Sequence, residues 1–142
     1  RFKLEKIIWA VTKKNPLKAE SKTPISKKIK DCKKIIGLNS FIKVKFYENI
    51  IKSNKTIDLI NYLKKNKNIE IFFLMGADNL INFHKWFKSE LISQKCNIIV
   101  FDRHGYKKNS LKSKTFKKLN NKALTFVEFK KVNISSSQLR KI

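Results

Sequence analysis

The chain has 142 residues, 42% of them hydrophobic and 11% aromatic, and 34 basic against 10 acidic side chains give it a formal charge of +24. That is enough apolar material for one sizeable core, so a single domain over residues 1–142 is expected. No apolar run approaches the ~20 residues of a membrane span and no signal-peptide pattern opens the chain, so the expectation is a cytoplasmic protein without a membrane partner. Only Arg1, Arg103 and Arg140 are arginine. Base readout and bidentate phosphate recognition favour arginine, whereas this surplus is lysine spread among Asn and Ile, all with A/T-rich codons. The charge therefore argues against a dedicated nucleic-acid interface, though it should concentrate anionic substrates such as nucleotides.

Residues 4–12 open the chain with a strand-like apolar block. Residues 13–24 form a polar loop with Pro16 and Pro24 towards its ends, longer than a simple turn requires. Over residues 25–36 the apolar positions Ile25, Ile29, Cys32, Ile35 and Ile36 fall on one helical face, and Gly37 supplies the stop. Residues 41–46 alternate as a strand near a sheet edge with Lys43 and Lys45 outward. Residues 56–63 read as a helix with Ile57, Ile60 and Leu63 inward.

The apolar run 69–75 reads as a strand buried on both faces, of the kind found inside parallel sheets. Gly76 ends it, Asp78 is placed to cap a short amphipathic helix, and in an open α/β sheet such a turn faces the ligand crevice. Residues 96–101 are a second buried strand leading into Asp102-Arg103-His104-Gly105-Tyr106. Residues 107–121 are basic and weakly patterned, with one short helix expected around 115–119. Residues 124–129 alternate as a last strand, and 135–141 begin a hydroxyl-rich helix. Strands alternating with helices at this spacing predict a parallel α/β sheet. Cys32 and Cys96 have no C-x-x-C partner and form no zinc-spaced set with His84 and His104, so both read as reduced structural thiols and no metal site is expected from protein ligands.

Two stretches carry chemistry. Gly76, Asp78, Leu80, Phe83 and Trp86 fill the pattern G-x-D-x-L-x-x-F-x-x-W, and Ile134-Ser135-Ser136-Ser137-Gln138-Leu139-Arg140 places hydroxyls and an arginine at a helix start, where free N–H groups favour anions. Together they resemble the motifs of nicotinate-nucleotide adenylyltransferases, the second being the I-S-S-[ST]-x-[IL]-R signature of nucleotidyltransferases. Asn15 and Lys18 after Trp9 resemble that family's W-x₅-N-P-x-K loop. Thr56-Ile57-Asp58 resembles its T-x-D-T segment, with Leu59 in place of the second threonine, and Arg103 and Tyr106 resemble its R-x-G-[YF] loop.

The resemblance implies a Rossmann-like nucleotidyltransferase that joins ATP and nicotinate mononucleotide into deamido-NAD, with Mg²⁺ accompanying ATP. It implies that Ser135, Ser136 and Arg140 hold the ATP phosphates. Asn15, Lys18, Thr56, Asp78 and Arg103 would then serve the mononucleotide, and Trp86-Phe87 its pyridine ring, an electron-poor partner for offset stacking. The family's front segment, G-G-[ST]-F-D-P-x-H-x-G-H, has no counterpart here. The expectation is accordingly a sheet of order 3-2-1-4-5-6 without its first strand and helix, no catalytic histidine, and weak or no activity in the chain as given. An inactive remnant, a sister nucleotidyltransferase and a basic nucleic-acid-binding protein are the alternatives.

Overall fold

Apolar runs become strands and most helical patterns become helices in the computed structural model, which describes residues 3–13, 22–65, 67–120 and 122–128. The described strands pair only in parallel and form two separate sheets, in the α/β manner expected of a Rossmann-like nucleotidyltransferase. Two compact units result, Arg1–Lys65 and Asn66–Ile142.

In the first unit β1 (Ile7–Ala10) lies beside β2 (Ile42–Lys45), with Ile7 opposite Ile42 and Ala10 opposite Lys45. Between them runs α1 (Ile25–Ile36). Proline at the residue before the helix presets its φ, and its carbonyl accepts the Lys28 N–H at 3.1 Å. At the other end Gly37 takes φ +53°, a value that suits a residue without Cβ, and donates its N–H to Lys33 O at 3.0 Å. Ile25, Ile29, Cys32 and Ile36 are half-buried as predicted, but Ile35 is 75% exposed. A turn of 3.6 residues sets Ile35 about 100° round from Ile36, off the inward stripe. Burial, and then the Asp31 carboxylate beside it, push the Cys32 thiol up from its ordinary value, as suits a structural thiol.

β2 alternates as expected, with Lys43 and Lys45 exposed. Two helices follow it, the unanticipated α2 (Glu48–Ile51) and the expected α3 (Thr56–Lys64), whose Ile57 and Ile60 are buried.

The second unit holds β3 (Phe72–Gly76), α4 (Ala77–Leu80), a 3₁₀ turn (Phe83–Lys85), α5 (Ser89–Lys95), β4 (Asn97–Phe101), α6 (Lys107–Leu111), α7 (Lys114–Leu119) and β5 (Leu124–Val127). Its sheet runs β3-β4-β5, so the pairings reproduce the 3-2 and 4-5-6 parts of the expected order. The strand buried on both faces is β4, where Ile98, Ile99 and Val100 are all buried. β3 does not meet that expectation: only Met75 is buried, while Phe72 to Leu74 are half-buried. Within its sheet β3 has a ladder on one side only, and Ile69 lies outside the strand and exposed.

The basic stretch after β4 forms two helices rather than one. Ser113 separates them by accepting the Phe116 N–H on its Oγ at 3.1 Å, which caps α7. Phe116 then meets Phe126 of β5 edge to face, with ring centroids 6.3 Å apart.

Phe83 anchors this unit at 1% exposure, among Leu80, Ile92, Ile98 and Leu124, which are also fully buried. Truncating Phe83 to alanine should cost ~3–5 kcal/mol in urea unfolding, and Ser113→Ala ~1 kcal/mol. Equal losses from the two variants would contradict a core centred on Phe83.

Candidate functional site

In register, Gly76 of β3 stands opposite Phe101 of β4. The two strands therefore release Asp78 and Arg103 from the same carboxyl edge of the sheet, where ligands of open α/β sheets bind. A Cβ on Gly76 would lie 2.6 Å from Asp78 Oδ1. The Gly76 backbone, with φ −80° and ψ 158°, is accessible to any residue, so glycine serves here by leaving room for the carboxylate.

Asp78 was expected to cap a helix. It sits inside the first turn of α4 instead, no side chain caps that helix, and its Oδ2 accepts a hydrogen bond from Arg103 Nη1 at 2.6 Å. The guanidinium carbon lies 5.6 Å from the Tyr106 ring centroid. A turn closed by Tyr106 N–H to Arg103 O at 3.0 Å folds the tyrosine back, and Gly105 accepts the φ of +84° this requires. Both members of the Asp78–Arg103 pair are partly solvated, and exposed pairs contribute only ~0–1 kcal/mol. What the contact achieves is orientation: the remaining donors of a planar fork are aimed rather than left to swing.

Ten residues along from Gly76, Trp86 is not on a regular helix. The 3₁₀ turn ends on it through Trp86 N–H to Phe83 O at 3.0 Å, and its own backbone is extended, with φ −69° and ψ 147°. The indole is half-buried against Phe73 edge-on at 5.9 Å and Phe83 at 5.2 Å. Phe87 is 52% exposed, with the Lys88 ammonium 5.3 Å from its ring centroid. The second unit thus brings Asp78 and Arg103 into contact, and carries Trp86 and Phe87 in the segment that follows Asp78.

In the first unit Thr56 is the first residue of α3 and half-buried. Two residues on, the Asp58 carboxylate accepts from Ser53 Oγ at 2.6 Å, and the same hydroxyl accepts the Lys55 N–H at 3.1 Å. Asn15, Lys18, Ser135, Ser136 and Arg140 lie outside the described residues. A lysine that the motifs did not single out prepares the exit of β1: Lys28 Nζ of α1 donates to Thr12 O at 3.0 Å and Lys13 O at 2.8 Å. Its only sequence signal is a place on the flank of an amphipathic helix.

Among the described residues no group of three or more His, Cys, Asp or Glu side chains could hold a metal ion, and His84 and His104 are both exposed. No helix among them is long and apolar enough to cross a membrane.

Comparison with known proteins adds the following. The Cytidylyltransferase-like family matches residues 1–142. A probable nicotinate-nucleotide adenylyltransferase of Pelagibacter ubique (strain HTCC1062) is 65% identical over 141 residues, covering 99% of this chain and 78% of that protein. Proteins with the same description from Rhizobium johnstonii (31% identical over 116 residues, 80% of this chain and 58% of that protein) and Agrobacterium fabrum (34% over 107 residues, 74% and 57%) are also similar. The matched spans take in little more than half of these last two.

Because the atom nearest a Gly76 Cβ is the end of a side chain that can rotate away, Gly76→Ala should leave the fold intact, at a cost of no more than ~1 kcal/mol. A crystal structure of the variant should show Asp78 turned off Arg103. A retained contact would mean that glycine is not what seats the carboxylate.

Proposed function

The chain belongs to the cytidylyltransferase-like family, and we propose that it transfers the adenylyl group of ATP to nicotinate mononucleotide, giving deamido-NAD and pyrophosphate in NAD biosynthesis. The carrying observation is the Asp78–Arg103 contact at the carboxyl edge of β3 and β4, followed within the same segment by the Trp86-Phe87 aromatic pair. The two-thirds identity to the Pelagibacter relative supports the same reading.

In this reading residues 1–142 act as one nucleotidyltransferase-like domain. Arg103, held by Asp78, directs its remaining donors to the mononucleotide phosphate, and Trp86 and Phe87 supply aromatic surface for the pyridine ring. Asn15, Lys18 and Thr56 are assigned to the mononucleotide, and Ser135, Ser136 and Arg140 to the ATP phosphates, by their motif matches. A phosphate oxygen of the mononucleotide attacks the α-phosphorus in line. The new P–O bond forms as the bond to the bridging oxygen breaks, and pyrophosphate leaves with the electron pair. No covalent enzyme intermediate is needed, so the protein's part is placement and charge stabilisation.

Mg²⁺ enters as the magnesium salt of ATP. Mg²⁺ is commonly held by phosphate oxygens and water with few protein carboxylates, so it would neutralise charge on the phosphates that Arg103 and Arg140 are assigned to meet.

The direct test is to incubate the chain with Mg·ATP and nicotinate mononucleotide and to separate the products. Deamido-NAD and pyrophosphate in equal amounts support the proposal, and failure of the chain to bind both Mg·ATP and nicotinate mononucleotide by calorimetry counts against it. Nicotinate mononucleotide should also quench tryptophan fluorescence, and Trp86→Ala should abolish the quench while Trp9 remains; an undiminished quench puts the ring elsewhere. Arg140→Ala should weaken ATP binding about tenfold or more, since a charge-assisted contact is worth ~1.5–3 kcal/mol. Unchanged affinity by calorimetry would remove Arg140 from the site.

A further inference from the structure

We infer that Lys28, together with Glu48, is a positioning residue for mononucleotide binding, fixing the peptide through which β1 leads on to Asn15 and Lys18; the inference rests on the adenylyl-transfer reading and deepens it. Just past the end of β1, Val11 N–H still reaches Lys45 O at 2.9 Å. Thr12 and Lys13, the next residues, are exposed, and backbone groups at such a place ordinarily turn to water. Here side chains take them. Lys28 Nζ donates to Thr12 O at 3.0 Å and to Lys13 O at 2.8 Å, while Glu48 Oε1 accepts the Lys13 N–H at 3.3 Å.

The peptide between Thr12 and Lys13 is thus held at both its oxygen and its nitrogen, and the peptide after Lys13 is held at its oxygen. Peptide units are planar, so orienting two in succession fixes both soft dihedrals of the residue between them, Lys13. The sequence then leaves Lys14 alone between the held peptides and Asn15. The two holders come from different elements, Lys28 from α1 and Glu48 from the start of α2. The direction in which the chain leaves β1 is therefore set by the elements around it rather than by the segment itself.

Stability alone gives this arrangement little purpose. Lys27, Lys30, Lys33 and Lys34 of the same helix are exposed, whereas Lys28 is half-buried. Ordering a long lysine costs rotamer freedom, and bonds at an exposed strand exit return little of it to the fold. What they do return is a fixed starting direction for the residues assigned to the mononucleotide. Binding then spends less on ordering those residues, which is the gain that preorganisation brings. Lys28 and Glu48 also carry opposite charges, so a positioning role and a general field effect predict different results when each is removed.

The test is calorimetric titration of the whole chain with nicotinate mononucleotide and, separately, with Mg·ATP. Lys28→Met should weaken mononucleotide binding about three- to tenfold and leave ATP affinity unchanged. Lys28→Arg, which keeps donors for both carbonyls, should retain the wild-type affinity. Glu48→Ala should weaken the mononucleotide as well, although losing a negative charge would by field alone favour an anion. All three variants should melt close to the wild type, because the bonds concerned are exposed. In a background of Asn15→Ala with Lys18→Ala, Lys28→Met should cost less than about twofold, since the side chains it positions are gone. An equal loss in both backgrounds, a parallel loss for ATP, or tighter mononucleotide binding by Glu48→Ala overturns the positioning role while the adenylyl-transfer reading stands. Failure of the wild type to bind nicotinate mononucleotide overturns that reading, and this inference with it.

Discussion

The Asp78 carboxylate lies in space that a Cβ on Gly76 would claim, 2.6 Å from where that atom would be. Everything else at the carboxyl edge follows from this constraint. Because β3 ends on a residue without a side chain, the first turn of α4 can fold its acidic group back towards the strand end, within reach of an arginine leaving β4. That reach also depends on register. A slip of one residue between β3 and β4 would move Arg103 by about 3.3 Å along the strand and turn alternate side chains to the other face. The register is fixed by burial, since Ile98, Ile99 and Val100 could not be displaced from the core without exposing apolar surface. The geometry of the candidate site is therefore a consequence of core packing in the middle strand.

Charge operates here on two scales. Over the whole chain, 34 basic against 10 acidic residues produce a field that attracts nucleotides from a distance, within the limits that salt screening sets. Locally the balance differs: Asp78 largely offsets the charge of Arg103, so in the proposed reading a phosphate would gain direction from the fork more than net attraction. The surface pairs Lys27–Asp31 and Lys118–Glu90 matter little for the fold, being exposed. The Lys118 hydrogen bond and charge hold the Glu90 carboxyl below its ordinary value, so its small contribution is present at neutral pH and lost as acid protonates the carboxylate. The lysine surplus thus contributes a long-range field for anions, whereas stability comes from the buried apolar residues.

Legibility varied with the range of the interaction involved. The helix over residues 25–36 was readable to its boundaries, because Pro24 and Gly37 mark both ends through local backbone chemistry. The lysine alternation of β2 and the apolar run of β4 were equally plain. The short helices α2, α5 and α6 were not anticipated, since four to seven residues give too little periodicity to separate from a loop. The burial of β3 was overestimated because an apolar run does not say which strands will flank it. Asp78 is the sharpest case: its sequence neighbourhood suggested a helix cap, and its actual partner lies 25 residues away, across a strand pair. Asn15, Lys18, Ser135, Ser136 and Arg140 were legible only as motif positions. The left-handed turn at Lys88 carried no sequence signal, since the usual marker of positive φ is the glycine that is not there.

The aromatic pair and the charged pair are connected through one strand. Trp86 is held edge-on by Phe73, which lies in β3 three residues before Gly76, and at a tilt by the buried Phe83 of the 3₁₀ turn. At ~3.3 Å per residue, β3 separates the support of the indole from the seat of Asp78 by about 10 Å. Both ends of an elongated ligand would thus be referenced to a single hydrogen-bonded strand rather than to loops that move independently. A strand paired along its length to a buried neighbour is among the stiffest elements a small domain can provide, so the spacing between ring and phosphate contacts would be set before any ligand arrives. Preorganisation of this kind reduces the ordering cost of binding and leaves more of the contact energy for affinity. The seat of Asp78 and the support of Trp86 fall in one short stretch of sequence, and Arg103 reaches that stretch from the end of the neighbouring strand, 25 residues on.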